Sequence, residues 1–112
     1  QRQLTRVVDL AGNIDNESQV HGGVLFYKAI ALRHLGVLHA ARDELTALLR
    51  RTKDRDPAFL QAVRYERARV YELLGRKSQA KRDLERLFAD DPNYEDVAAR
   101  LGIGSVLPSL DR

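Results

Sequence analysis

Apolar residues recur along most of the chain at the spacing of a helix. Within residues 38–51 they stand at i, i+4, i+7 and i+8, which places them on one side of a helix. This stripe consists of Ala41, Leu45, Leu48 and Leu49. No segment alternates apolar and polar residues over several positions as a half-buried strand does. The pattern therefore predicts an all-α chain.

Glycine and proline divide this pattern into separate helices. Gly36 and Gly75 each follow a long apolar stripe, and glycine readily adopts the left-handed conformation that ends a helix. Asp56-Pro57 predicts a helix start, because aspartate can cap and proline is tolerated in the first turn. Six helices are predicted. The first covers residues 2–11, and the second is capped within residues 15–18 and ends near residue 35. The next three cover residues 38–51, 57–74 and 78–89, and a short sixth helix follows Pro92. Residues 102–112 lack this periodicity and are predicted to form a loose tail.

The chain repeats itself after 39 residues. At this offset Ala29 aligns with Ala68 and Gly36 with Gly75, and the apolar stripe of residues 38–51 meets a second one in residues 78–89. Small alanines let two helices approach closely, and the glycines allow the turn between them. Repeats of this length indicate helical units that stack on one another.

The second unit resembles the tetratricopeptide repeat family in order and spacing. The matching residues are Ala68, Tyr71, Leu74, Gly75, Ala80, Leu84, Leu87 and Pro92, and the first unit is a fainter copy. The resemblance implies antiparallel helical hairpins stacked as a short right-handed superhelix over residues 1–101. Its units are residues 22–56 and 57–92, and its capping helix is 93–101. The resemblance leaves open whether the opening helix is the end of an earlier repeat.

The sequence also departs from the family's pattern. Leu25 and Arg64 replace the usual tryptophan, while Lys28 and Arg67 stand where a buried leucine is common. The spacing of 39 exceeds the family norm of about 34 residues. These departures concern the geometry between units more than the fold class.

Composition excludes several kinds of chemistry. The chain has no cysteine, which rules out disulfides and thiolate sites and favours a cytoplasmic location. The three histidines His21, His34 and His39 do not form an i, i+4 pair on a helix, so no metal site is indicated. The serines lie in no nucleophile-elbow context. We therefore expect neither catalytic residues nor a cofactor.

Charge and hydropathy bear on possible partners. Lys and Arg outnumber Asp and Glu between residues 64 and 86, which could steer an acidic partner or could be a solvated face. Acids interleave with these bases and no nucleic-acid-binding signature occurs, so nucleic acid is disfavoured. No apolar run approaches the roughly 18 residues of a membrane span.

The resemblance also implies a function. In this family the first helix of each pair lines a concave groove that holds a peptide or helix of another protein. The corresponding groove residues in this sequence are Phe26, Ile30, Arg33, Tyr65, Arg69 and Glu72. Three alternatives stay open: Phe26 and Tyr65 pack against neighbouring repeats outside this sequence, exposed repeat ends associate into a homo-oligomer, or the chain is a nucleic-acid-binding regulator.

Overall fold

The computed structural model describes residues 2–11 and 19–104 of the chain. Within these residues the structure is helical and contains no strand, which confirms the all-α prediction. The helices are α1 (Arg2–Ala11), α2 (Gln19–His34), α3 (Leu38–Arg50), α4 (Pro57–Leu73), α5 (Lys77–Asp90) and α6 (Val97–Arg100). The predicted capping residues at 15–18 and the tail from 105 to 112 lie outside the described residues.

The start of α4 follows from its first two residues. The Asp56 carboxylate accepts a hydrogen bond from the backbone N–H of Ala58 at 3.0 Å. Pro57 occupies the first turn, where its missing N–H removes no helical hydrogen bond. The predicted helix start at this dipeptide is confirmed.

Glycines end the long helices as predicted. Gly36 has φ of 82° and Gly75 has φ of 75°, a conformation that side chains disfavour. After each glycine the chain closes the helix end with a backbone bond to the last turn. Val37 N–H donates to Leu32 O at 2.8 Å, and Arg76 N–H donates to Tyr71 O at 2.9 Å.

Helices pack in chain order. Each of α1 to α5 packs against the helix that follows it, and α2 also touches α4. The molecule measures 53 × 31 × 21 Å along its principal axes. We call α2 with α3 the first unit and α4 with α5 the second unit; α2, α4 and α6 are the first helices.

Two apolar clusters hold the units together. The predicted stripes are buried, with Ala41, Leu45 and Leu48 at most 1% exposed. The first cluster joins α2, α3 and α4 through Leu25, Ala29, Leu32, Ala41, Leu45, Leu48, Val63 and Val70. The second joins α4, α5 and α6 through Ala68, Leu84, Leu87 and Val97. Because α4 contributes to both clusters, it is the central element of the fold.

The sixth helix is shorter than the predicted helix of residues 93–101. It begins only at Val97, and the chain before it forms turns. The Asp91 carboxylate accepts from the N–H of Asn93 at 3.0 Å, which competes with helix formation. Glu95 has φ of 42°, outside the helical region.

None of the helices in the described part of the chain is both long and apolar enough to cross a membrane.

Candidate functional site

The six predicted groove residues occupy equivalent positions on two first helices. Three lie on α2 and three on α4, and each on α2 has its counterpart 39 residues later. The pairs are Phe26 with Tyr65, Ile30 with Arg69, and Arg33 with Glu72. Four of the six contact the next first helix or the turns leading to it, along a line that we call the seam.

One end of the seam is aromatic. The rings of Phe26 and Phe59 meet edge to face, with centroids 5.6 Å apart and an angle of 80° between planes. The rings of Tyr65 and Tyr94 repeat this contact at 5.8 Å and 62°. The Tyr65 hydroxyl also donates to the Asp96 carboxylate. Phe26 and Tyr65 thus pack against neighbouring units within the chain itself.

The other end of the seam is ionic. Arg33 on α2 pairs with Glu66 on α4, and both side chains are largely buried. Glu72 on α4 pairs with Arg100 on α6, and these side chains are more exposed. Along the chain, the arginine comes before the glutamate in the first pair and after it in the second. The two ion pairs therefore occupy equivalent places with opposite charge order.

Ile30 and Arg69 lie between the two ends of the seam. Ile30 is half-buried. The Arg69 guanidinium stacks over the Tyr65 ring, 5.3 Å from the centroid. Within the described residues Arg69 forms no ion pair. It therefore carries a positive charge that no carboxylate of the seam neutralises.

Hydrogen bonds and charges shift two pKa values where α6 meets α4. The pKa of Asp96 lies below its usual value, chiefly because Tyr65 donates a hydrogen bond to it and also because Arg100 is close. Burial raises the pKa of Tyr94, and the nearby acidic Glu95 adds to the rise. The folded state therefore favours an ionised Asp96 and a protonated Tyr94.

A second set of charges links the two helices of each unit, and sequence reasoning missed it. Lys28 Nζ donates to Glu44 at 2.9 Å across the first unit. Arg67 donates two bonds to Asp83, of 2.6 and 2.8 Å, across the second. Burial lowers the pKa of Arg67, but its hydrogen bond and charge interaction with Asp83 outweigh this and raise it overall.

The 39-residue offset contains the signal for these pairs. It aligns Lys28 with Arg67 and also Glu44 with Asp83, so charge sign is kept at both places. Lys28 and Arg67 thus each have an acidic partner on the other helix of their unit, so neither is an isolated buried charge.

The histidines lie apart from this surface. His34 and His39 are exposed and His21 is half-buried. Across residues 2–11 and 19–104, no three His, Asp or Glu side chains are grouped so that they could hold a metal ion.

Comparison with known proteins finds no match: no family model, no curated protein and no solved structure matches the chain. The resemblance to tetratricopeptide repeats therefore rests on the sequence residues quoted above alone.

Proposed function

We propose that the chain is a protein-docking module whose α2, α4 and α6 surface binds a segment of another protein. The proposal includes the finer architecture, in which tetratricopeptide-like hairpins stack as a short right-handed superhelix. The order of helix packing supports this architecture. So does the recurrence of one ring contact and one ion pair, first between α2 and α4 and then between α4 and the chain segment that includes α6. A surface of successive first helices is where such modules hold peptides.

The observation that carries the proposal is the state of Arg69. Its guanidinium is held over the Tyr65 ring and has no carboxylate partner within the described part of the chain. The adjacent cations Arg33 and Arg100 are both occupied by acids. A partner carboxylate placed on Arg69 would gain a charge-assisted hydrogen bond without breaking an internal pair.

Ile30 supplies the second half of the proposed recognition. It is half-buried at the position on α2 that corresponds to Arg69 on α4. The occupant that fits this pair is a segment with one apolar and one acidic side chain. Phe26 and Tyr65 then act as walls of the site, because their rings already contact Phe59 and Tyr94.

Peptide display tests this proposal. We expect peptides selected from a random library against the full chain to combine an acidic residue with an apolar one. Arg69→Glu should weaken their binding by about tenfold or more, because attraction becomes repulsion. Arg82→Glu makes the same charge change at an exposed position on α5 and serves as the matched control. Selected peptides that bind both variants and the native chain equally would exclude this site.

A further inference from the structure

A cleft opens where the start of α4 meets the end of α5. Its volume is about 460 Å³, a size that is ordinary for small-molecule sites. Pro57 and Leu60 supply an apolar part of its lining, and Arg64, Arg86 and Asp90 supply a charged part. An occupant of the cleft would therefore meet both an apolar surface and charged groups.

The charge of Arg64 is incompletely neutralised by the residues around it. Its side chain is only 20% exposed, and it pairs with Asp83 at the long distance of 3.6 Å. That carboxylate already accepts two shorter bonds from Arg67, of 2.6 and 2.8 Å. Burial lowers the pKa of Arg64, Asp83 opposes this only in part, and the nearby cations Arg86 and Arg67 lower it further. Arg64 therefore offers a positive charge to a ligand in the cleft.

Arg86 brings a second cation to the same cleft. It pairs with Asp90 at 3.7 Å, one turn further along α5, and both side chains are exposed. Water weakens an exposed pair of this kind, so a ligand can replace it at little cost. Together with Arg64 and Arg67, Arg86 makes a cluster of three cations. The cluster holds two acids, Asp83 and Asp90, so one positive charge is in excess.

The first unit has no arginine at the two equivalent positions. The 39-residue offset aligns Arg64 with Leu25 and Arg86 with Ala47. Leu25 is buried in the first apolar cluster. A unit of this kind can therefore be built with apolar residues at both positions, and helix packing does not by itself require the two arginines that line the cleft.

We propose that this cleft binds a small organic acid with a single carboxylate and a short apolar body. The carboxylate lies between the guanidinium groups of Arg64 and Arg86, whose planar N–H groups match its two oxygens. One negative charge balances the one positive charge in excess. The apolar body lies against Leu60 and Pro57. None of the six groove residues lines this cleft, so the site is separate from the seam.

Phenylacetate is the probe, because it joins one carboxylate to an apolar ring. Phenylacetamide has nearly the same shape without the charge and serves as the control. Nuclear magnetic resonance spectra of the full chain are recorded during titration with each compound at low salt. We expect phenylacetate to shift the backbone signals of Leu60, Gln61 and Arg64 until they saturate, with an affinity in the millimolar range. Phenylacetamide should bind about tenfold more weakly, because it lacks the charge-assisted hydrogen bonds.

The first unit supplies a matched variant of the protein. Arg64→Leu with Arg86→Ala introduces the residues that the first unit has at these positions, while Arg67 still neutralises Asp83. This double variant should weaken phenylacetate binding by about tenfold or more, because both attractive charges are removed. Arg86→Gln alone, at an exposed position, should give a smaller loss. Arg82→Glu changes an exposed charge of α5 outside the cleft lining and should leave the affinity within about twofold.

Other outcomes would overturn the proposal. These are the absence of saturable shifts, equal binding of phenylacetate and phenylacetamide, or an unchanged affinity in both the double variant and Arg86→Gln. Shifts confined to Ile30 and Arg69 would assign the probe to the seam. Tighter binding of phenyl phosphate than of phenylacetate would contradict a site built for one negative charge. Circular dichroism of each variant verifies that the helices are kept.

Discussion

At the scale of single residues, two adjacent glycines in α2 have different surroundings. A Cβ built on Gly22 would lie 1.8 Å from Nη1 of Arg55, whereas a Cβ on Gly23 would meet nothing within 4 Å. Arg55 is 7% exposed, in the loop before α4. The absence of a side chain at Gly22 therefore leaves space for the guanidinium of Arg55, which lies in the loop after α3.

We predict opposite effects when each glycine is changed to alanine. Gly23→Ala should raise the free energy of unfolding by about 0.5–1 kcal/mol, since alanine is the better helix former. Gly22→Ala should lower it by about 1 kcal/mol, because Arg55 must leave its buried position. Urea unfolding followed by circular dichroism measures both.

Arg55→Ala provides the control for this pair. With the guanidinium removed, Gly22→Ala should stabilise the chain as Gly23→Ala does. If both glycine substitutions raised the free energy of unfolding of the native chain, or both lowered it, the contact between Gly22 and Arg55 would be contradicted. The sequence shows two glycines in a helix but cannot show which one faces Arg55, because that contact joins residues far apart in the chain.

At the scale of helices, the ion pairs inside the two units differ in burial. The Asp83 side chain is 4% exposed, and Arg64 lies 3.6 Å from it in addition to Arg67. The Glu44 side chain is 27% exposed and pairs with Lys28 alone among the described ion pairs. Removing an acid that neutralises buried bases leaves charge without compensation, whereas a more exposed pair is weakened by water.

We expect Asp83→Ala to lower the free energy of unfolding by about 3 kcal/mol and Glu44→Ala by less than about 1 kcal/mol. Arg67→Leu combined with Asp83→Leu should recover most of the loss, because a buried ion pair can be exchanged for apolar side chains. Thermal and urea unfolding measure the series. Equal costs for the two single substitutions would show that burial does not set the strength of these pairs.

The helices themselves follow from local signals, and the differences have local causes. The stripe around Leu45 and the turn at Gly36 were predictable, because periodicity and left-handed glycine act over a few residues. The length of α6 was not, since Tyr94, Val97 and Leu101 have helical spacing even though Glu95 leaves the helical region. The equivalent positions of the groove residues on α2 and α4 were predictable from the repeat. Their contacts along the seam were not, because those contacts depend on packing between units.

At the scale of the whole molecule, the helices form a line in which α4 touches both clusters and α6 closes one end. Besides Val97, interactions of exposed or half-buried groups hold that end. They include the contact of the Tyr65 and Tyr94 rings, the hydrogen bond from Tyr65 to Asp96, and the ion pair of Glu72 with Arg100. The end is therefore sensitive to the protonation of Asp96.

Acid should loosen α6 before the rest of the chain. The folded pKa of Asp96 lies below its unfolded value of about 3.9, so its stabilising contribution is complete above that pH and is lost as the pH falls further. Nuclear magnetic resonance signals of Tyr94 and Val97 should therefore shift at a higher pH than those of Leu45.

Asp96→Asn should abolish this early shift, because the amide does not titrate. Asp43→Asn removes an exposed carboxylate of α3 and should leave it unchanged. Simultaneous changes at Tyr94 and Leu45 in the native chain would instead mean that α6 unfolds only together with the first unit.

The opposite charge order of the two seam ion pairs affects which helices can pack against each other. Arg33 of α2 meets an acid on α4, and Glu72 of α4 meets a base on α6. If the chain folded with its second unit left out, Arg33 would face Arg100 and the two cations would repel. A second copy of α4 laid on the first would bring Glu72 against Glu66, with the same result. This charge order thus disfavours both a skipped second unit and the packing of one α4 on another.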